Sequence, residues 1–237
     1  MGLIIKFAIG MVLLASSALL TPWLQQLGNY PVNTAGLLLA PRGIGTMLAM
    51  MVVGRITNRV DPRLLMGLGV LMLWWSMTRL SDWTPAVDQW TLIINTIVQG
   101  AGLGLVFVPL NVVAFGTLPA QLRYEGTALI SLLNIGSAIG ISVFEALVTT
   151  NTEVEHSVLA PFASPLNRAL HTAPWPSPAT PHGAAFLDRA INYQAQVIAY
   201  NDDYWLMGLL ALPLLLLLPF MTRPRRDGGG GQGATID

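Results

Sequence analysis

The sequence predicts an all-α membrane protein built as a six-transmembrane-helix bundle. Three observations predict it. Of the 237 residues, 53% are hydrophobic and only 10% are charged, where a soluble domain carries about 25% charged residues. The mean hydropathy is +0.59. Apolar runs of bilayer length recur six times, and turn-forming residues separate them.

A hydrocarbon core of about 30 Å takes roughly 20 apolar residues in a helix. The runs that meet this lie at about 4–24, 34–54, 62–81, 90–115, 126–150 and 203–222, so residues 1–222 form the predicted bundle. Lys6 ahead of an apolar run is also how a signal peptide opens. The run from Ile4 to Leu24 is nevertheless of spanning length, no small-residue cleavage site follows it, and further spans come after. The breaks are Gly28-Asn29-Tyr30-Pro31, Val60-Asp61-Pro62, Ser81 to Pro85, and Leu118-Pro119-Ala120. Unpaired amides are not tolerated in lipid, which puts these breaks at the membrane surfaces. Residues 151–202 read as a long outer loop with a Pro-rich centre from Ala173 to Pro181. Within it Phe186, Leu187, Ala190, Ile191, Gln194, Val197 and Ile198 recur at helical spacing, which predicts a surface-lying or outward-extended helix leading into the last span. The Gly-rich stretch 223–237 reads as a disordered cytoplasmic tail.

Basic residues set the orientation. With the N-terminus inside, Lys6, Arg55, Arg59, Arg63, Arg123, Arg223, Arg225 and Arg226 are cytoplasmic, eight of the 12. Arg168 and Arg189 fall in outer loops, Arg79 near an outer helix end, and Arg42 within a span. Both termini are therefore expected in the cytoplasm of a bacterial cell, with the bundle in its plasma (inner) membrane.

Twelve acidic residues balance twelve basic ones, which argues against a nucleic-acid partner. Without cysteine there is no disulfide framework and no thiolate metal site. His156, His171 and His182 are too scattered for a metal cluster. There is no P-loop, HExxH, Gly-x-Ser-x-Gly or paired-carboxylate motif. The expectation is a protein that is no enzyme and carries neither metal nor cofactor.

The candidate functional residues are the polar groups inside spans, because placing a charge in hydrocarbon costs about 3 kcal/mol or more. Arg42 lies midway along the second span, between Pro41 and Gly43. Two readings stand side by side: a cation facing a substrate cavity or gate, and a snorkelling or structurally paired arginine. Glu145 is an acid on the fifth span, a candidate proton site or an interface carboxylate. Asn95 and Gln99 share one face of the fourth span, four residues apart. With Asn134 on the fifth span they are candidates for a substrate cavity or for ordinary interhelical hydrogen bonds. Gly100 with Gly104, and Gly136 with Gly140, are small-xxx-small pairs suited to close helix packing. The tryptophans lie mostly toward span ends, where interfacial anchoring is expected.

With these residues in view, the sequence resembles the major facilitator superfamily, in its fourteen-helix drug:H⁺ antiporter branch of EmrB/QacA-type multidrug efflux permeases. The resemblance rests on Pro41-Arg42-Gly43-Ile44-Gly45, on Gly54 through Arg63, on Gln99-Gly100-Ala101-Gly102-Leu103-Gly104 with Pro109-Leu110, on Leu118-Pro119 with Arg123 to Gly126, and on Gln194-Ala195 to Asn201-Asp202. It covers nearly the whole chain and corresponds to the C-terminal half of such a transporter. Gly54, Arg55, Asn58, Arg59, Asp61 and Arg63 resemble the family's cytoplasmic latch loop. Asn58 stands where that signature usually has Asp, and Asp61 where it has Gly. The resemblance implies proton-driven export of small hydrophobic or amphipathic compounds by alternating access, with substrate held between two six-helix bundles. It also implies partners: the lipid bilayer, the missing N-terminal half and, in a Gram-negative cell, a periplasmic adaptor and an outer-membrane channel. The alternatives are a truncated remnant or assembly partner that does not transport, and a transporter of another solute on the same scaffold.

Overall fold

A computed structural model describes residues 2–57, 59–116, 123–163 and 180–217, and every regular element in them is helical. Asn58 and the predicted tail 223–237 lie outside the described residues, as do the surroundings of Asn134 and Gly136.

Helix α1 (Gly2–Pro22) widens into a single π turn over Trp23–Leu27. The chain then reverses through Asn29, whose φ of 53° is a left-handed conformation that Asn tolerates better than most residues. Gly28 makes the reversal possible, because a Cβ there would sit 2.8 Å from the Leu24 carbonyl oxygen and 2.9 Å from the Tyr30 ring. Helices α2 (Val32–Leu39) and α3 (Pro41–Ile56) follow one path with a break at Ala40. Pro41 has no N–H to continue the ladder, and Gly43 N–H instead reaches back three residues to the Ala40 carbonyl at 2.9 Å. Helix α4 (Pro62–Leu80) starts where sequence chemistry says it should. Asp61 accepts a hydrogen bond from the Arg63 amide at 3.1 Å and Pro62 occupies the first turn. Helix α5 covers Gln89–Gly116 and helix α6 Arg123–Leu159, ending in a short 3₁₀ turn at Ala160–Ala163. Helix α7 covers Pro181–Leu217.

Residues 151–202 require a correction. They are mostly helix, because α6 continues to Leu159 and α7 begins at Pro181. Asn151, Thr152, Glu153 and Glu155 end the apolar run but not the helix. Polar residues forbid hydrocarbon, while a helix in water accepts them. At 1.5 Å per residue each of these 37-residue helices is about 55 Å long, well beyond a 30 Å core. The helical spacing of Phe186 to Ile198 thus belongs to a helix that runs unbroken into the predicted last span.

The packing pairs are α3 with α5, α5 with α4, α4 with α7, α7 with α6 and α6 with α1, with a lighter contact of α1 on α5 that closes the ring. One large core joins Leu19, Leu20, Trp23, Leu27, Met77, Phe144 and Tyr204. Two smaller ones lie between α4, α5 and α7 (Met66, Val70, Val106, Ala211) and between α3, α4 and α5 (Ala49, Val53, Leu65, Leu105). Trp23 and Trp83 are buried and face each other at 6.2 Å between ring centroids. These two are core residues and not interfacial anchors, whereas Trp90 and Trp205 are exposed.

The outside is apolar where a water-soluble bundle would be polar. Leu37, Ile44, Met47, Leu48 and Val52 along α2 and α3 are each more than half exposed. So large a patch is stable against hydrocarbon or against another bundle. Among the described residues, Val32–Ile56 and Gln89–Asn111 are each long and apolar enough to cross a membrane on their own.

Candidate functional site

The interior between α1, α3, α5 and α7 is not purely apolar. Ser16 and Ser17 sit side by side on α1, and each takes a polar group from a different helix. Arg42, in the first turn of α3, donates from Nη1 to Ser17 Oγ. Gln99, fully buried on α5, donates from Nε2 to Ser16 Oγ at 3.3 Å. Ala40 keeps helical angles, φ −56° and ψ −37°, so Arg42 stands just past Pro41 on a path continuous with α2.

Close backbone approach holds α3 and α5 together. Thr46 Oγ1 lies 3.0 Å from both the Arg42 and the Gly100 carbonyl oxygens, tying one helix backbone to the other. A Cβ on Gly100 would collide with the Arg42 carbonyl, and one on Gly104 would fall 2.7 Å from the Ala49 Cβ and 2.8 Å from the Thr46 carbonyl oxygen. Glycine is therefore required at both positions by the neighbouring backbone. Gly45 has the same relation to Ile97. Gly140 meets Met11 between α6 and α1.

Asn95 lies one turn from Gln99 on the same face of α5, buried, and neither its amide nitrogen nor its oxygen has a partner. The Gln99 Oε1 and the Tyr204 hydroxyl, on α7, are likewise enclosed without one. Tyr204 is within electrostatic reach of Arg42. Enclosed polar atoms each cost about 1–3 kcal/mol if left unsatisfied, so such a concentration marks a place that water or a ligand can visit.

Arg42 and Thr46 also line an open groove of about 870 Å³ whose remaining walls are mainly apolar, with Met47, Met50, Met51 and Leu103 prominent. Unbranched thioether side chains adapt to ligands of different shape. The arrangement is thus one fixed cation and a hydroxyl beside a deformable apolar wall.

The structure brings Arg42, Gln99 and Asn95 into one neighbourhood, and leaves Glu145 apart from it. Glu145 is exposed on α6, and its carbonyl accepts from Thr149 Oγ1 at 3.0 Å. The described residues of the expected latch loop lie where α3 hands over to α4. Arg55 and Arg59 are exposed, Gly54 has open space around it, and Asp61 and Arg63 form the cap of α4. Four residues of the interior escaped sequence reading: Ser16, Ser17, Thr46 and Tyr204. The signal available was a pair of hydroxyls in the middle of the apolar run from Ile4 to Leu24.

An all-helical bundle with an apolar exterior, a glycine-lined seam and an enclosed polar centre is the build of an α-helical membrane protein. Comparison with known proteins gives relatives at low identity. No protein-family model matches the chain. It is 25% identical over 233 residues to the multidrug export protein EmrB of Escherichia coli, an alignment covering 94% of this chain and 45% of that protein. It is 25% identical over 226 residues to the fatty acid resistance protein FarB of Neisseria gonorrhoeae, covering 93% and 45%. A multidrug resistance protein B homologue of Mycobacterium tuberculosis aligns at 26% identity over 230 residues, covering 91% and 40%. The chain is thus similar to proteins named for multidrug export, multidrug resistance and fatty acid resistance. The chain spans less than half the length of these relatives.

Proposed function

We propose that the chain is the C-terminal, six-helix half of a proton-driven multidrug efflux transporter that exports hydrophobic or amphipathic compounds across the plasma (inner) membrane by alternating access. The observation that carries this reading is the juxtaposition of Arg42, Thr46 and the methionine-rich wall of α3, in a chain aligned over nine-tenths of its length with multidrug export proteins. In transporters of this build the substrate sits between two bundles near the membrane midplane. Arg42 and the groove supply one wall of such a cavity, and the missing half supplies the other. A fixed cation orients polar or anionic ends of a substrate, while the methionines accept apolar bodies without demanding one shape.

In this reading α1, α2 with α3, α4, α5, α6 and α7 make the six crossings. The count of basic residues supports cytoplasmic termini. The loop from Gly54 to Arg63 is then the cytoplasmic latch, its basic side carried by Arg55, Arg59 and Arg63. The outer arms of α6 and α7 face the side where a periplasmic adaptor leading to an outer-membrane channel would dock.

The test is dye efflux in cells stripped of their own exporters. The 237-residue chain is compared with a protein extended upstream by a relative's N-terminal half. Export by the extended protein alone is the expected result. Export by neither, with both present in the membrane, overturns the reading.

A further inference from the structure

Helix α7 carries an acid that the efflux reading does not yet use. Asp203 opens the predicted last span, and the residue is fully buried. Its Oδ1 accepts from Asn151 Nδ2 of α6 at 3.3 Å, and its Oδ2 is enclosed with no partner. Among the described residues no cation lies within ion-pair distance of Asp203. Asp202, a second acid, precedes it. Tyr200 and Tyr204, neutral phenols on α7, lie within electrostatic reach, and Tyr200 is itself in reach of Glu145 on α6. Among the described residues the cation in this region is Arg42 on α3, which is in reach of Tyr204.

An ionised carboxylate so enclosed, with one neutral amide donor and no counter-charge, is far costlier than a carboxylic acid. Asn151 can donate to Oδ1 in either state, which leaves Oδ2 as the oxygen that bears the proton. From this geometry we propose that Asp203 is a proton-binding site of the chain, loaded when α6 and α7 are closed around it and unloaded to water as a carboxylate when they part. The released proton leaves from Oδ2–H, and no other bond changes. The proposal rests on the efflux reading for what the proton drives, but not for where it binds. It moves the proton site from Glu145, which is exposed on α6, to a residue that α6 and α7 enclose together.

Infrared difference spectroscopy of the full chain in lipid nanodiscs, stepped through pH, tests this without any transport. The wild type is expected to show a protonated-carboxyl stretch that disappears at high pH and shifts in heavy water. Asp203→Asn should abolish that band, and Glu145→Gln should leave it. Should Asp203→Asn not yield folded protein, Asp203→Glu keeps a carboxyl in an altered enclosure and should displace the band. Persistence of the band in Asp203→Asn, its loss in Glu145→Gln, or an unmoved band in Asp203→Glu each overturns the proposal. Because the readout needs no efflux, failure of the efflux reading leaves the proton site standing, and the reverse holds too.

Discussion

The α3–α5 seam and the α6–α7 hairpin are both pairs of long helices, yet they are held by opposite means. At the seam two backbones nearly touch. Gly45, Gly100 and Gly104 remove the side chains that would separate them, and Thr46 joins the two carbonyl ladders. Along the hairpin the helices extend past the thickness of a bilayer, and their outer contact is a solvent-exposed pair, His156 Nε2 with Asp188 Oδ1 at 3.1 Å. The first arrangement uses close approach, which hydrocarbon rewards through packing. The second is a single solvent-facing polar pair, and such pairs are weak.

Substitutions can break that contrast. The largest effect is expected from Gly100→Val, since even a Cβ collides with the Arg42 carbonyl. Overpacking costs about 1–3 kcal/mol or more, and two added methyls at a backbone contact belong at the upper end. Detergent-solubilised protein should lose its monodisperse peak in size exclusion, and a normal peak would refute the seam as drawn. Next comes Arg42→Ala in a permease of full length, which should abolish dye efflux while membrane expression holds; unchanged efflux removes Arg42 from the substrate wall. Ser16→Ala takes away the acceptor of the buried Gln99 amide and should lower stability by about 1–3 kcal/mol, read as an earlier thermal transition. At the hairpin, His156→Ala should change stability by less than about 0.5 kcal/mol, because the pair is open to solvent. A shift as large as that of Ser16→Ala would mean that the hairpin is held as firmly as the seam.

Much of this was legible beforehand. Gly100 and Gly104 stood out by their spacing and Arg42 by its isolation in an apolar run, and each lies at the seam. The break before α4 could be read from Asp61-Pro62, where capping and φ restriction agree. What escaped depends on tertiary enclosure or on where water begins. The arm of α6 beyond Asn151 was hidden because its polar residues end the apolar run without ending the helix, whereas the helical spacing of Phe186 to Ile198 announced the arm of α7. Asp203 stands beside Asp202 in the sequence, and only the packing of α6 and α7 tells the two apart. Trp23 and Trp83 lie near span ends, as anchoring tryptophans do, and their mutual contact is set by a turn that sequence alone does not orient.

The outer part of α7 is stitched down twice. Tyr193 donates to the Leu27 carbonyl at 2.9 Å where α1 ends, and Asn201 Nδ2 donates to the Trp83 carbonyl at 3.1 Å just past α4. With α7 unbroken through that level, the arm that begins at Pro181 is moored at its root like a mast stepped through a deck. Any tilt of the helices it is tied to would be carried outward along it, magnified in proportion to its height.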